Sequence, residues 1–276
     1  MPVNFPAIPE PNEIHIWHIN LSSADESTAA AAATAAVDIL APDEMQRAGR
    51  FAFDLHCNRF VNGRCALRRI LGRYLGMDAS DVPLASGSHG KPYLDRITKL
   101  GFNLTHAEEL ALLAVSGGAE IGIDIEKIRL PNDMRALAKS VFSAEENAHF
   151  MSLADDALAI PFFTCWTKKE AFLKALGTGL SIEATSVHVG FDDSNIEIVP
   201  PAGFGNQSVS VMTIAQDANA ISSLAVVGGY EKLAHLDYDA MVERALMKNR
   251  KSSIGGCFKP TLAESALLQK GFVKVT

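Results

Sequence analysis

From Glu120 to Glu126 polar and apolar residues alternate without a break, Glu-Ile-Gly-Ile-Asp-Ile-Glu. A β-strand sends successive side chains to opposite faces, so Ile121, Ile123 and Ile125 share one face and Gly122, Asp124 and Glu126 the other. The fold must therefore contain a sheet with two chemically distinct sides at this strand. Two carboxylates on one strand face, joined by a carboxylate from a helix, form a typical site for a hard divalent cation bound through oxygen. Gly122 on that face leaves room for a ligand to approach the backbone.

The helix that can supply the third carboxylate lies about 40 residues later. At ~100° per residue, Phe162, Trp166, Phe172, Leu173 and Leu176 fall on one broad apolar face, which predicts an amphipathic helix over 162–180 stopped by Gly177 and Gly179. Lys169 falls in the middle of that face, while Glu170 and Lys174 stack one turn apart at its edge. A plain alternative is a buried helix whose Glu170–Lys174 pair is a surface ion pair worth ~0.3–0.5 kcal/mol.

The chain has 276 residues, enough for one large domain or two lobes. Its start, Met-Pro-Val-Asn-Phe-Pro, has no basic and apolar leader regions, and the alanine run 29–36 is too short and too weakly apolar for a membrane span. A cytoplasmic protein with no membrane partner is expected. Cys57, Cys65, Cys165 and Cys257 lack metal or redox spacing and are read as reduced and structural. The net charge of −7 argues against a nucleic-acid binder, yet Arg47, Arg50, Arg59, Arg64, Arg68, Arg69 and Arg73 crowd one region. That run predicts a local basic surface suited to phosphates or an acidic partner.

Patterning predicts a strand over 13–20, helices over 27–40, from Pro42, and over 56–76, and a loop presenting Lys91 before Pro92. Gly63, inside the third helix, hints at close approach by another backbone or a ligand. Leu110–Ser116 and Ile121–Ile128 read as a hairpin across Gly117-Gly118, which would set His106 beside the acidic strand. Helices follow over 133–140 and 143–157, the second opened by a Ser143/Glu146 capping box. Short strands are expected near 186–191, 196–199, 208–214 and 222–227, then a mixed helical tail.

Together these residues carry a signature. Gly-Ile-Asp-Ile-Glu at 122–126, followed by Trp-x-x-Lys-Glu-Ala-x-x-Lys-Ala-x-Gly at 166–177, resembles the Sfp-type 4'-phosphopantetheinyl transferases in their Trp/Lys-Glu-Ala variant. Gly90-Lys91-Pro92, Phe102-Asn-Leu-Thr-His106 and Pro42-Asp-Glu-Met-Gln-Arg47 are similar to the family's upstream motifs, in the family's order. The resemblance covers roughly residues 13–230 and implies an α+β fold of two similar α/β lobes, a pseudo-dimer with the active site between them. The lobes would span 1–117, holding the nucleotide, and 118–235, holding the metal, with 236–276 a tail of no assigned role. The activity implied is transfer of the phosphopantetheine arm of coenzyme A to a serine of an apo acyl or peptidyl carrier protein, by a monomer.

By the same resemblance Asp124, Glu126 and Glu170 hold Mg²⁺, and Lys174 contacts the coenzyme A phosphates. Arg47, Lys91, Thr105 and His106 hold the nucleotide end, and Lys169 belongs to the cofactor-binding motif. Thr105 and Ala107 stand where serines are usual, and Glu44 where some members are basic. Glu170 and Lys174 are the expected catalytic residues; Glu146, Glu170 and a water on the metal each stand as acceptors of the serine proton. Carrier proteins generally present an acidic helix, so a basic face is expected to dock them. Two other readings share these residues: a different Mg²⁺-dependent phosphotransferase or hydrolase, and a non-catalytic scaffold that binds coenzyme A or a carrier.

Overall fold

The computed structural model describes residues 5–22, 36–87, 89–97, 99–129, 133–216 and 219–242. In chain order the elements are β1 (Glu13–Asn20), α1 (Pro42–Ala48), α2 (Asp54–Leu75), β2 (Leu84–Ser86), β3 (Pro92–Leu94), β4 (Gly101–Ala107), β5 (Leu110–Ser116) and β6 (Ile121–Lys127). Then come α3 (Met134–Val141), α4 (Ala144–Ser152), α5 (Ala159–Leu176), β7 (Ile196–Ile198), β8 (Val209–Gln216), β9 (Ala220–Val227) and β10 (Lys232–Asp237). Two four-stranded sheets result, ordered β10-β1-β5-β4 and β6-β9-β8-β7, with β2 and β3 forming a small ribbon. The fold is α+β, and one order recurs in it. A first strand is followed by helices and then by an antiparallel hairpin, β4–β5 or β8–β9, whose second strand pairs with the first.

The apolar alternation in each first strand determines how the sheets stack. Ile14 and Ile16 of β1, with Leu112 and Ala114 of β5, meet Ile121, Ile123 and Ile125 of β6 and Leu224 and Val226 of β9 in one shared core. On its far face the first sheet packs Trp17, Leu113 and Val115 against Leu67, Ile70 and Leu71 of α2. The second sheet packs Val211, Ile221 and Ala225 against the Phe162–Phe172 side of α5. The layers therefore run helix, sheet, sheet, helix. At one corner β4 lies on β6, and Asn103 Oδ1 accepts the Ile123 N–H at 2.9 Å.

Several expectations change. The hairpin across Gly117-Gly118 does not form: β5 pairs with β1 and β4, β6 pairs with β9, and the two lie in different sheets. Gly117 is required because a Cβ there would collide with the carbonyls of Pro9 and Glu10, not to make a tight turn. Residues 187–190 form no strand, since their backbone groups serve two charged side chains described below. Gly63 meets only Leu21 Cδ2, at ordinary contact distance, so it marks no close approach. Residues 232–235, expected in the second lobe, belong to β10, which joins the first sheet parallel to β1. Most of the helix expected over 27–40, and residues 243–276 of the tail, lie outside the described residues.

α5 is buried nearly all round instead of on one face. Its sheet-facing side meets β6 and β9, and residues 184–194 cover much of its other side. Gly177, at φ +65°, ends it in the left-handed conformation that glycine adopts without steric cost.

Candidate active site

β6 and α5 touch through their backbones at Gly122. A Cβ there would overlap Ala171 and Ala175 and lie 2.9 Å from the Lys174 carbonyl carbon, so the space left by the missing side chain is filled by α5, not by a ligand. This close crossing brings the acidic face of β6 against the Glu170–Lys174 edge of α5. Lys174 Nζ donates to Asp124 Oδ1 at 2.5 Å and to the Ile123 carbonyl at 3.4 Å. From β4, Thr105 Oγ1 donates to the same Asp124 oxygen at 3.3 Å and lies 3.5 Å from Lys174 Nζ. Glu126 is half-buried and accepts the Trp166 indole N–H at 3.2 Å. Thr105, Asp124, Glu126, Glu170 and Lys174, five residues expected at one site, thus come together at the β4–β6 corner.

The electrostatics are those of crowded carboxylates. Burial raises the Asp124 carboxyl, Lys174 opposes the rise, and Glu126 and Glu170 add to it, leaving it at about 6. Burial also raises Glu170, with Lys174 again opposing and Glu126 adding. Asp124 Oδ2 is buried with no hydrogen-bond partner. As they stand, no three carboxylate, imidazole or thiol groups among the described residues converge closely enough to hold one ion. The donor set nevertheless fits a hard cation: oxygen ligands, an unsatisfied buried carboxylate oxygen, mutual repulsion, and an ammonium already bound to the other oxygen.

His106 sits beyond this cluster, exposed. Partial desolvation, then the charges of Arg59, Lys174 and His56, hold its imidazole below the usual range. Arg47 lies over the Phe60 ring at 5.2 Å, on the α1–α2 side. Lys91 Nζ donates to the carbonyls of Ile121 at 3.1 Å and Ala175 at 3.4 Å and pairs with Glu120 at 3.2 Å. It therefore ties the start of β6 to the last turn of α5, where a cation also complements the helix dipole.

Lys169 and Glu146 do not join the site. Lys169 Nζ pairs with Glu146 Oε2 at 2.7 Å and donates to the carbonyls of Ala184, at 2.8 Å, and Val187. With three acceptors met, the ammonium has no donor left for a cofactor. Glu146 Oε1 accepts the Val189 and Gly190 N–H groups, and Oε2 accepts that of Ser143. Burial alone would raise the Glu146 carboxyl, but Lys169 and these N–H groups hold it below the usual carboxylate range. The expected cofactor role for Lys169 and the proton-acceptor role for Glu146 are thus replaced by a structural one.

Two residues near the site were not singled out by sequence reasoning. Asn103 joins the sheets, and nothing in its motif distinguishes it from an ordinary strand residue. Arg59, part of the arginine run, pairs with Glu109, and its Nε is buried without a partner. Glu44 explains much of that run, since it takes both Arg64 and Arg68, the latter at 2.6 Å, inside the α1–α2 packing. Two cavities, of about 820 and 520 Å³, lie apart from the acidic cluster. One lies beside Arg69, Arg73 and Tyr238, and the other between the sheets beside His18 and Asp237.

Comparison with known proteins adds two family matches. Residues 14–117 match the 4'-phosphopantetheinyl transferase N-terminal model, and residues 120–213 match the 4'-phosphopantetheinyl transferase superfamily model. Among curated relatives, the 4'-phosphopantetheinyl transferase HetI of Nostoc sp. is 37% identical over 223 residues, covering 79% of this chain and 89% of the relative. The 4'-phosphopantetheinyl transferase psf-1 of Bacillus pumilus is 30% identical over 171 residues, 62% of this chain and 72% of that one. The 4'-phosphopantetheinyl transferase Sfp of Bacillus subtilis is 28% identical over 166 residues, 60% and 73% of the two chains.

Proposed function

The chain belongs to the 4'-phosphopantetheinyl transferase superfamily, and from that membership we propose that it moves the phosphopantetheine arm of coenzyme A onto a serine of an apo acyl or peptidyl carrier protein in a Mg²⁺-dependent reaction. Adenosine 3',5'-bisphosphate leaves. The observation that carries the reading is the meeting of Asp124, Glu170, Lys174 and Thr105 at one corner, with Asp124 Oδ2 buried and unsatisfied. A non-catalytic scaffold would be expected to have lost one of these groups; all are present.

Asp124, Glu126 and Glu170 would hold the ion, which when bound supplies Lewis-acid polarisation of the pyrophosphate. Lys174, now on Asp124, is the cation positioned to neutralise charge on the departing phosphate. Thr105 keeps a hydroxyl at the same point, and His106 and Arg47 form the basic approach for the nucleotide end, which Lys91 joins only by giving up its pair with the exposed Glu120. Glu170 is better placed than Glu146 to take the serine proton, because it lies at the acidic cluster whereas Glu146 has both oxygens occupied by Lys169 and backbone N–H groups. We place the nucleotide-binding lobe in residues 1–117 with β10 returned to its sheet, and the metal-binding lobe from 118 to the end of β9, in a cytoplasmic monomer with no nucleic-acid or membrane partner.

The test is incubation with coenzyme A, Mg²⁺ and a panel of apo-carriers, with the carriers then weighed. Transfer adds ~340 Da, the mass of one phosphopantetheine at a serine. Asp124→Ala should abolish transfer and also the rise in melting temperature that Mg²⁺ gives the wild type. Glu170→Gln should keep the fold and lose ~10²-fold or more in kcat. Undiminished Mg²⁺-dependent transfer by Asp124→Ala would refute the metal assignment.

A further inference from the structure

Eleven large apolar side chains among the described residues are exposed, and five of them, Val37, Met45, Phe51, Phe53 and Leu55, fall between residues 37 and 55. Phe53 is 67% and Leu55 56% exposed, at the very start of α2. Single exposed apolar residues need no explanation, but a run of them at one helix junction does. The rings are ordered: Phe51 lies against Phe60 at 5.5 Å, Phe60 carries Arg47, and Phe53 meets His56 edge-on at 6.0 Å.

The charges around this junction are sorted. Arg64 and Arg68 are neutralised by Glu44, and Arg59 by Glu109. No carboxylate among the described residues pairs with the exposed Arg47 or Arg50. Two unpaired guanidiniums, Arg47 and Arg50, therefore stand near the exposed rings, with Asp54 the one exposed carboxylate between Phe53 and Leu55. The junction also lies near the acidic cluster: His56 and Arg59 of α2 act on the His106 imidazole, as Lys174 does, and the adjacent Thr105 donates to Asp124.

We propose that the Phe51–Phe53–Leu55 junction, rimmed by Arg50, is the docking surface for the carrier protein that bears the acceptor serine. This rests on the transferase reading above. A serine hydroxyl offers almost no binding surface of its own, so the protein carrying it must be held by contacts beside the acidic cluster. Apolar rings with an unpaired guanidinium select an amphipathic surface with apolar side chains edged by carboxylates. Exposed aromatic anchors of this kind contribute most of the affinity in small interfaces.

The experiment uses the full chain, an apo acyl carrier protein and two variants, the double substitution Phe53→Ser/Leu55→Ser and, separately, Arg50→Glu. Carrier binding without coenzyme A is measured by interferometry, and steady-state constants are measured for both substrates. Expected are a tenfold or greater rise in carrier Kd and KM for the double variant, at ~1.4 kcal/mol per tenfold, and a smaller, salt-sensitive rise for Arg50→Glu. The KM for coenzyme A, kcat at saturating carrier and melting temperature should stay within twofold or unchanged. An unaltered carrier KM, an equal rise in the coenzyme A KM, or dissociation of a dimer of this chain on sedimentation overturns the proposal while leaving the transferase reading intact. A wild-type protein that modifies no carrier overturns both.

Discussion

Glu146 and Lys169 form the most deeply buried ion pair among the described residues, at 0% and 1% side-chain exposure. Removing one partner from such a pair leaves an uncompensated charge in the interior, at a cost of about 3–5 kcal/mol. Glu146→Gln should therefore lower the unfolding free energy obtained from urea titration by about that amount while leaving Asp124 and Glu170 untouched. Because the folded Glu146 carboxyl is depressed, its contribution is present above the ordinary carboxylate range and lost as pH falls through the folded value. The variant should accordingly show a shallower loss of stability in acid, measured by urea unfolding across a pH series; an unchanged acid slope contradicts the pairing. The sequence revealed Lys169 as anomalous on an apolar face, but its partner was concealed. Glu146 already had a sufficient local explanation in the Ser143 cap, and its second carboxylate oxygen reaches residues 189 and 190, more than 40 positions away.

Among elements, the strand carrying Asp124 and the helix carrying Glu170 were both legible because period-2 and period-3.6 patterns survive without knowledge of what they pack against. What periodicity cannot encode is the distance between them. Gly122 determines it, by removing the only atoms that would stand between the β6 and α5 backbones. Gly122→Ala should push α5 outward, lower stability by several kcal/mol as an overpacked core does, and abolish transfer in any folded fraction; thermal melting with an activity assay checks both. The hairpin expected across Gly117-Gly118 failed for a related reason, since a glycine pair that lets the N-terminal lead pass looks in sequence like a glycine pair that makes a turn. β10 was missed because its alternation is weak and charged, as edge strands often are.

At the scale of the whole molecule, β10 returns from the second half of the chain to cover the edge of β1. His18 Nε2 meets His235 Nδ1 at 2.9 Å, and Lys232 pairs with Glu13 at 2.6 Å across the seam. Ending the chain at Gly229 would strip that edge and leave β1 with unpaired backbone groups, an invitation to intermolecular pairing. Such a truncation, although it retains every acidic-cluster residue, should be aggregation-prone and inactive, as size-exclusion chromatography and the transfer assay would reveal; a soluble, active truncation contradicts this account. The same seam bears on how the molecule is made. Asn12 and Glu231, which bond beside it, are 219 positions apart, so at about 5–20 residues per second a ribosome needs roughly 10–40 s to deliver the closing strand after the opening one. Throughout that interval the nascent polypeptide carries an unfinished β edge, and the flank of β1 is the place where a premature partner strand has most reason to pair.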